Sequence, residues 1–195
     1  MGLEVPKVHQ KDETGCLPAC IKMTLDFYIK TGRIQDMEEN TIDEIRKLAG
    51  IKKIKKDQYP MMTLNDCFAL NTNLRKYSLF IMAEGNKQQK DISRLIKSDI
   101  PPILVYNVPI YLNGIGFDMD IREHTHCLIV KELNRGEDKV LVNDPDQTLD
   151  SYQSFRLSSL LEAWRYKGSM LLWIEHTTKP LTKYGLTLCQ TATKV

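Results

Sequence analysis

No apolar run in this chain approaches the roughly 20 residues needed to span a bilayer as a helix, which excludes a membrane-spanning helix. Met1 to Gln10 alternates polar and apolar residues and lacks the long apolar stretch of a secretory signal. Charge of one sign is also scarce. Twenty-seven basic residues face 25 acidic ones, a net charge of +2, so nothing supports the concentrated basic face of a nucleic-acid or membrane-surface binder. Cysteine is sparse, odd in number at five, and irregularly spaced. That pattern argues against a disulfide scaffold and suits a reducing compartment. Repeats and low-complexity blocks are missing. These absences together predict a cytoplasmic protein.

What is present is an ordinary globular composition. The chain has 195 residues, 42% hydrophobic and 27% charged, enough to bury one substantial core. We expect a single domain over residues 1–175, followed by a tail or packed extended arm over 176–195. The basic run Lys52-Lys53-Ile54-Lys55-Lys56 reads as a solvated loop.

Periodicity predicts helices first and strands later. Ile21, Leu25 and Ile29 recur at helical spacing, with Met23, Phe27 and Tyr28 widening the stripe. Pro18 suits the first turn of that helix and Gly32 its end. Thr41 with Glu44, and Thr63 with Asp66, have capping-box spacing for helices over 41–49 and 63–76. Residues 78–82 form a short strand, 91–97 another helical stretch, and 103–108 a strand bounded by prolines. Residues 109–123 read as a glycine-containing loop, a rim or lid just before His126. Two strands, 126–133 and 139–144, are joined by a turn near Arg135-Gly136. A helix over 158–164 and a strand over 170–175 complete the core. This order predicts an α+β fold with an antiparallel sheet.

Four residues stand out chemically. Cys16 lies just before the first helix, where unpaired N–H groups and the macrodipole favour a thiolate. Cys20, one turn inside, reads as a buried apolar side chain. His126 opens an apolar strand, so it can face a cleft while its neighbours fill the core. A turn at Arg135-Gly136 pairs residues whose numbers add to about 270 or 271, which sets Asp144 opposite His126, give or take one position. A carboxylate there fixes the tautomer of the imidazole. Asn143 then points to the other face. A shifted register would pair His124 with Asp146 instead. Gln10, six residues before Cys16, is a side-chain amide able to fold back over the same site and stabilise an oxyanion.

The stretch Gln10-Lys11-Asp12-Glu13-Thr14-Gly15-Cys16-Leu17-Pro18-Ala19-Cys20-Ile21-Lys22-Met23, with Tyr28 and Gly32 beyond it, resembles the bacteriocin-processing cysteine peptidases. These are papain-like domains that remove double-glycine leader peptides, often fused to an export transporter. His126-Cys127-Leu128-Ile129-Val130 and the Asp144-Pro145 that ends the next strand resemble that family's second motif. The resemblance implies a papain-like fold with Cys16 as nucleophile, His126 as base, Asp144 as orienting carboxylate and Gln10 at the oxyanion. It implies a peptide or protein substrate and no cofactor. Two positions depart from the pattern: Gly15 stands where the family usually has Asp, and Leu17 where it has Gly. Leu17 is expected to put bulk beside the site. With no transporter segment present, an export-coupled role is not expected to carry over.

Other readings of the same residues are acyl transfer to an amine or thiol, peptide binding without chemistry, and a metal site. Cys16, Cys20, His124 and His126 would supply the metal ligands, but their spacing matches no common zinc pattern.

Overall fold

Helix α1 (Cys16–Lys30) is apolar on nearly every side, and burial follows from that: Leu17, Ala19, Cys20, Ile21, Met23, Leu25, Phe27 and Tyr28 are all inside. It begins at Cys16, two residues before Pro18, which falls in its first turn. Its end is Gly32, whose φ of +69° is the left-handed conformation that glycine tolerates best. The computed structural model describes residues 2–55, 58–120, 124–146 and 154–176.

Both predicted capping boxes form. Thr41 accepts from the Glu44 N–H at the head of α2 (Ile42–Leu48), and Thr63 from the Asp66 N–H at the head of α3 (Leu64–Leu74). A 3₁₀ turn over Arg75–Tyr77 leads into β1 (Leu79–Glu84). Helix α4 (Gln89–Lys97) starts earlier than expected, because Asp91 is its capping acid, accepting from the Gln88 N–H at 2.9 Å. Strand β2 (Ile103–Asn107) comes next. Lys52, Lys53 and Lys55 of the basic run are exposed, as expected; Lys56 lies outside the described residues.

The expected loop over 109–123 is wrong in its first half, which is helix α5 (Val108–Gly114). Asn107 accepts from the Ile110 N–H at 2.9 Å and Pro109 occupies the first turn, an Asn-x-Pro start that is as specific as the capping boxes. Ser159 donates to the Gly114 carbonyl at 3.0 Å, fixing α5 against the later helix. Asn113 then holds Met119 through two hydrogen bonds, 2.7 and 3.1 Å.

Strands β3 (Thr125–Asn134) and β4 (Lys139–Asn143) form the predicted hairpin. The left-handed turn residue is Asp138, at φ +50°, not Gly136. A short strand β5 (Ser154–Arg156), not foreseen, precedes α6 (Leu157–Tyr166) and β6 (Leu171–His176). The six strands make one antiparallel sheet in the order β1-β6-β2-β3-β4-β5. The architecture is α+β, as the sequence predicts. Of the expected C-terminal tail, residues 177–195 lie outside the described residues.

Strand alternation divides the core in two. Ile103, Cys127, Ile129, Leu172 and Ile174 face α1, α2 and α3. Leu104, Tyr106, Leu128, Val130, Val142 and Trp173 face α4, α5 and α6. Tyr28 ties α1 to the sheet by donating to the Ile174 carbonyl at 2.5 Å. The start of α1 therefore lies against the middle of the sheet, beside β3.

Candidate active site

Cys16 is the first residue of α1. Gly15 caps it without a side-chain hydrogen bond, and no acidic residue occupies the first turn. The partial positive charge of the helix end is therefore left for the thiol. The Cys16 pKa is pulled down to about 5. The largest cause is a hydrogen bond from the Cys127 thiol, against burial, which opposes it; the bond to His126 and its charge add to the lowering. Cys127 is correspondingly pushed well above the usual thiol range, so it stays protonated and donates. Cys127 points to the α1 face of β3, into the same buried cluster as Cys16, while His126, one residue earlier, starts on the other face.

His126 is held from its far side. Its Nε2 is 2.7 Å from Asp144 Oδ1, with both side chains buried. That leaves Nδ1 as the nitrogen for Cys16. Burial depresses the His126 pKa, but the Asp144 hydrogen bond and the Cys16 hydrogen bond and charge outweigh it and raise it to about 10. Each group thus shifts in the direction that favours a thiolate beside an imidazolium. Tyr106, opposite His126 on β2, sets its ring edge-on to the imidazole at 5.8 Å and points its hydroxyl at Asp144 Oδ2, 3.5 Å away. Burial above all, with Asp144 nearby, pushes that phenol well up, so it remains neutral. The Asp146 N–H also donates to Asp144 Oδ1, at 2.8 Å.

The register that brings Asp144 to His126 differs from the expected one. Asn134 pairs with Lys139 and Leu133 with Val140. Lys131 then bulges out, and Val130 pairs with Val142 and Ile129 with Asn143. Extended, this register sets Asp144 opposite Leu128, two residues from His126 rather than facing it. A shift of two keeps the face, and the imidazole spans the diagonal. Without the bulge, Asp144 would fall opposite Ile129 and point to the wrong side. The bulge thus decides the site's geometry, and the Leu3 N–H, 3.1 Å from the Lys131 carbonyl, satisfies its displaced oxygen. Asn143 points to the other face, as expected, and donates to the carbonyls of Val5 and Pro6. The alternative pairing of His124 with Asp146 does not form the site: His124 is exposed and its carbonyl accepts from the Val108 N–H.

Gln10 joins the two halves. Its N–H donates to the Pro145 carbonyl at 2.7 Å, next to Asp144. Its Cβ packs so close to Gly15 that a Cβ on residue 15 would lie 3.0 Å from it and 3.1 Å from the Asp12 carbonyl. The turn from Gln10 to Cys16 is therefore wound tightly, and a side chain at position 15 would have to displace Gln10 by a few tenths of an ångström. The Gln10 Oε1 is buried without a hydrogen-bond partner, so the amide is not committed to the fold through that atom. Leu17, one residue along the helix from Cys16, is 6% exposed, as Cys16 is, and belongs to the same buried cluster.

Residues 10–15 are pinned from outside by Arg46 of α2. The guanidinium is fully buried. It donates to both oxygens of Asp12, each at 2.7 Å, and to the Thr14 hydroxyl at 3.0 Å, and lies over the Tyr59 ring at 4.3 Å. The Arg46 hydrogen bond is the main reason the Asp12 pKa falls to about 2. Neither this clamp nor the Cys127 thiol was apparent from the sequence. Cys20 is fully buried, and burial pushes its thiol well up, as expected of an apolar filler. Among the described residues, no group of three or more His, Cys, Asp or Glu side chains is arranged to hold a metal ion, and no helix is long and apolar enough to cross a membrane.

A helix carrying a cysteine at its mouth, packed on an antiparallel sheet that carries a histidine and a carboxylate, is the architecture of the papain-like peptidases. The chain belongs to the Peptidase C39-like family, whose model matches residues 2–171. Among solved structures it is similar to a Bacillus anthracis protein provisionally described as a C39-like peptidase, with a TM-score of 0.62 and 16% identity over 92% of this chain and 100% of that one. It is also similar to the peptidase domain of Streptococcus ComA, a bi-functional ABC transporter involved in quorum sensing, with a TM-score of 0.57 and 14% identity over 89% of this chain and 100% of that one. No curated protein matches the chain in sequence. At such identities the two structures establish the fold, which is that of the C39 papain-like peptidases.

Proposed function

We propose that this protein is a cysteine peptidase that hydrolyses a peptide bond through Cys16, His126, Asp144 and Gln10. The observation that carries the reading is the 2.7 Å contact between His126 Nε2 and Asp144 Oδ1, on a ring whose other nitrogen serves a thiol held down to a pKa of about 5. A structural histidine or a buried core cysteine would need neither feature.

In the proposed reaction the Cys16 thiolate attacks the scissile carbonyl carbon. The carbonyl π electrons move to oxygen, and the oxyanion is held by the Gln10 side-chain amide and the Cys16 N–H. The oxyanion collapses, the C–N bond breaks, and the His126 imidazolium gives its proton to the leaving amine. Neutral His126 then takes a proton from water, whose oxygen attacks the thioester. The carboxylic acid departs and the Cys16 thiolate and His126 imidazolium are restored. Asp144 keeps the ring in the orientation that makes both transfers possible.

We further propose that residues 1–175 act as a single peptidase domain and that the protein works in the cytoplasm on a peptide segment bound in extended form. Four buried cysteines left free, Cys16, Cys20, Cys67 and Cys127, favour a reducing setting. The test is turnover of a quenched-fluorescence peptide library. Cys16→Ala should abolish cleavage while the thermal melt stays cooperative. Full activity in that variant overturns the assignment. The masses of the products, with and without an added amine, separate hydrolysis from acyl transfer.

A further inference from the structure

The Gln10–Cys16 turn is the part of the site most in need of support. It has no regular secondary structure, and it carries one oxyanion donor at each end. Its internal hydrogen bonds are few: the Gly15 N–H donates to the Asp12 carbonyl at 3.0 Å, and the Thr14 N–H and hydroxyl donate to Asp12 Oδ1 at 3.0 and 2.8 Å. Every one of them passes through Asp12, and Asp12 is held by Arg46. The side chain of Arg46 is 0% exposed, although α2 is otherwise a peripheral helix with its own capping box. Burying a guanidinium is costly unless its partners are well aligned, and here both Asp12 oxygens are engaged by a planar fork that lysine cannot reproduce. The Tyr59 ring closes the other side of the cation, and the Tyr59 carbonyl lies 3.3 Å from the Thr14 hydroxyl oxygen, whose single proton goes to Asp12.

We propose that Arg46 is a positioning residue for catalysis: through Asp12 and Thr14 it fixes the distance between the Gln10 amide and the Cys16 N–H, and so builds the oxyanion site. This rests on the peptidase reading of the Cys16 site. Arg46 touches neither the thiol nor the imidazole partners described, so its effect is confined to steps in which a carbonyl oxygen acquires charge. Alkylation of Cys16 by iodoacetamide generates no oxyanion. Addition of the thiolate to a peptide aldehyde does: the S–C bond forms as the C=O π electrons move to oxygen, and the resulting oxyanion becomes a hemithioacetal on taking a proton from the His126 imidazolium.

The experiment compares the wild-type chain with Arg46→Lys and Asp12→Asn. Lysine keeps the charge and loses the fork; asparagine keeps the shape and loses the charge. In each variant the affinity for a peptidyl glycinal should fall by about tenfold or more, and kcat with it, since a misplacement approaching 1 Å costs roughly two orders of magnitude. KM should stay within about twofold. The rate and pH midpoint of Cys16 alkylation should not move. The double variant should be no worse than the poorer single one, because both remove one clamp. If Asp12→Asn, which leaves the buried guanidinium without its counter-charge, melts non-cooperatively, Arg46→Lys is read instead. Unchanged aldehyde affinity in a folded variant overturns the proposal. So does a parallel fall of aldehyde affinity and alkylation, which would mean general disorder of the site. A failure of the peptidase reading itself looks different: alkylation and aldehyde addition at Cys16 survive, but no peptide is cleaved.

Discussion

Removing the Cys127 thiol should raise the Cys16 pKa without touching His126 or Asp144. Cys127→Ala takes away the hydrogen bond that contributes most to holding the Cys16 thiolate down to about 5. A hydrogen bond to a charged partner contributes roughly 1.5–3 kcal/mol, and one pKa unit corresponds to about 1.36 kcal/mol. The Cys16 midpoint should therefore move up by roughly one to two units, into the range of about 6 to 7. The assay is the rate of iodoacetamide alkylation of Cys16 across pH, with the modified peptide quantified by mass spectrometry. The midpoint is the readout, because a rate at one pH mixes two opposing effects. A more basic thiolate is also a better nucleophile, so the high-pH plateau should rise by roughly three- to eightfold as the midpoint shifts. Cys127→Ser keeps a donor on the same carbon and should recover most of the original midpoint. A midpoint near 5 in the alanine variant would refute the argument and leave the shift to His126 and the backbone N–H of residue 127, both of which the substitution keeps.

Three further outcomes are expected from the same geometry. Asp144→Asn should cut kcat by roughly 10²-fold, and the upper limb of the pH–rate profile, set by His126 near 10, should move to lower pH because the Asp144 hydrogen bond is the largest force raising it. Gly15→Ala keeps an allowed backbone, φ −86° and ψ −6°, but its Cβ must push Gln10 back by a few tenths of an ångström; peptide cleavage should fall by about tenfold with Cys16 alkylation intact. Asp12 has a folded pKa of about 2 against an unfolded 3.8, so its contribution is complete above the unfolded value and is lost as pH falls through the folded one. Urea midpoints between pH 5 and pH 2 should show this as roughly 1 kcal/mol after solvent screening, and Asp12→Asn should remove that part of the slope.

The helices were legible where a local rule sets them. Thr41 with Glu44 and Thr63 with Asp66 announce their own starts, because capping is a contact between residues three apart. Helix α5 was just as local, in Asn107 and Pro109, and was missed because glycines and length suggested a loop. The positions of Cys16 and His126 were also readable, one from its helix end and one from its strand. Their supports were not. The Lys131 bulge changes which face Asp144 occupies, and nothing in the residues 130–132 marks it; the carbonyl it displaces is met by the Leu3 N–H, a partner 128 residues away in sequence. Arg46 lies 34 residues from Asp12 in sequence, and Cys127 was expected to fill the core, which it does. That its core position also faces Cys16 depends on how α1 crosses the sheet.

The most direct measurement of the central claim is covalent trapping with a peptidyl vinyl sulfone, an electrophile that adds to an activated thiolate. At pH 6 intact mass should show one adduct per chain, mapped to Cys16, and the reaction should slow by at least about tenfold in His126→Ala. An adduct on any other cysteine, or equal labelling with and without His126, would contradict the account.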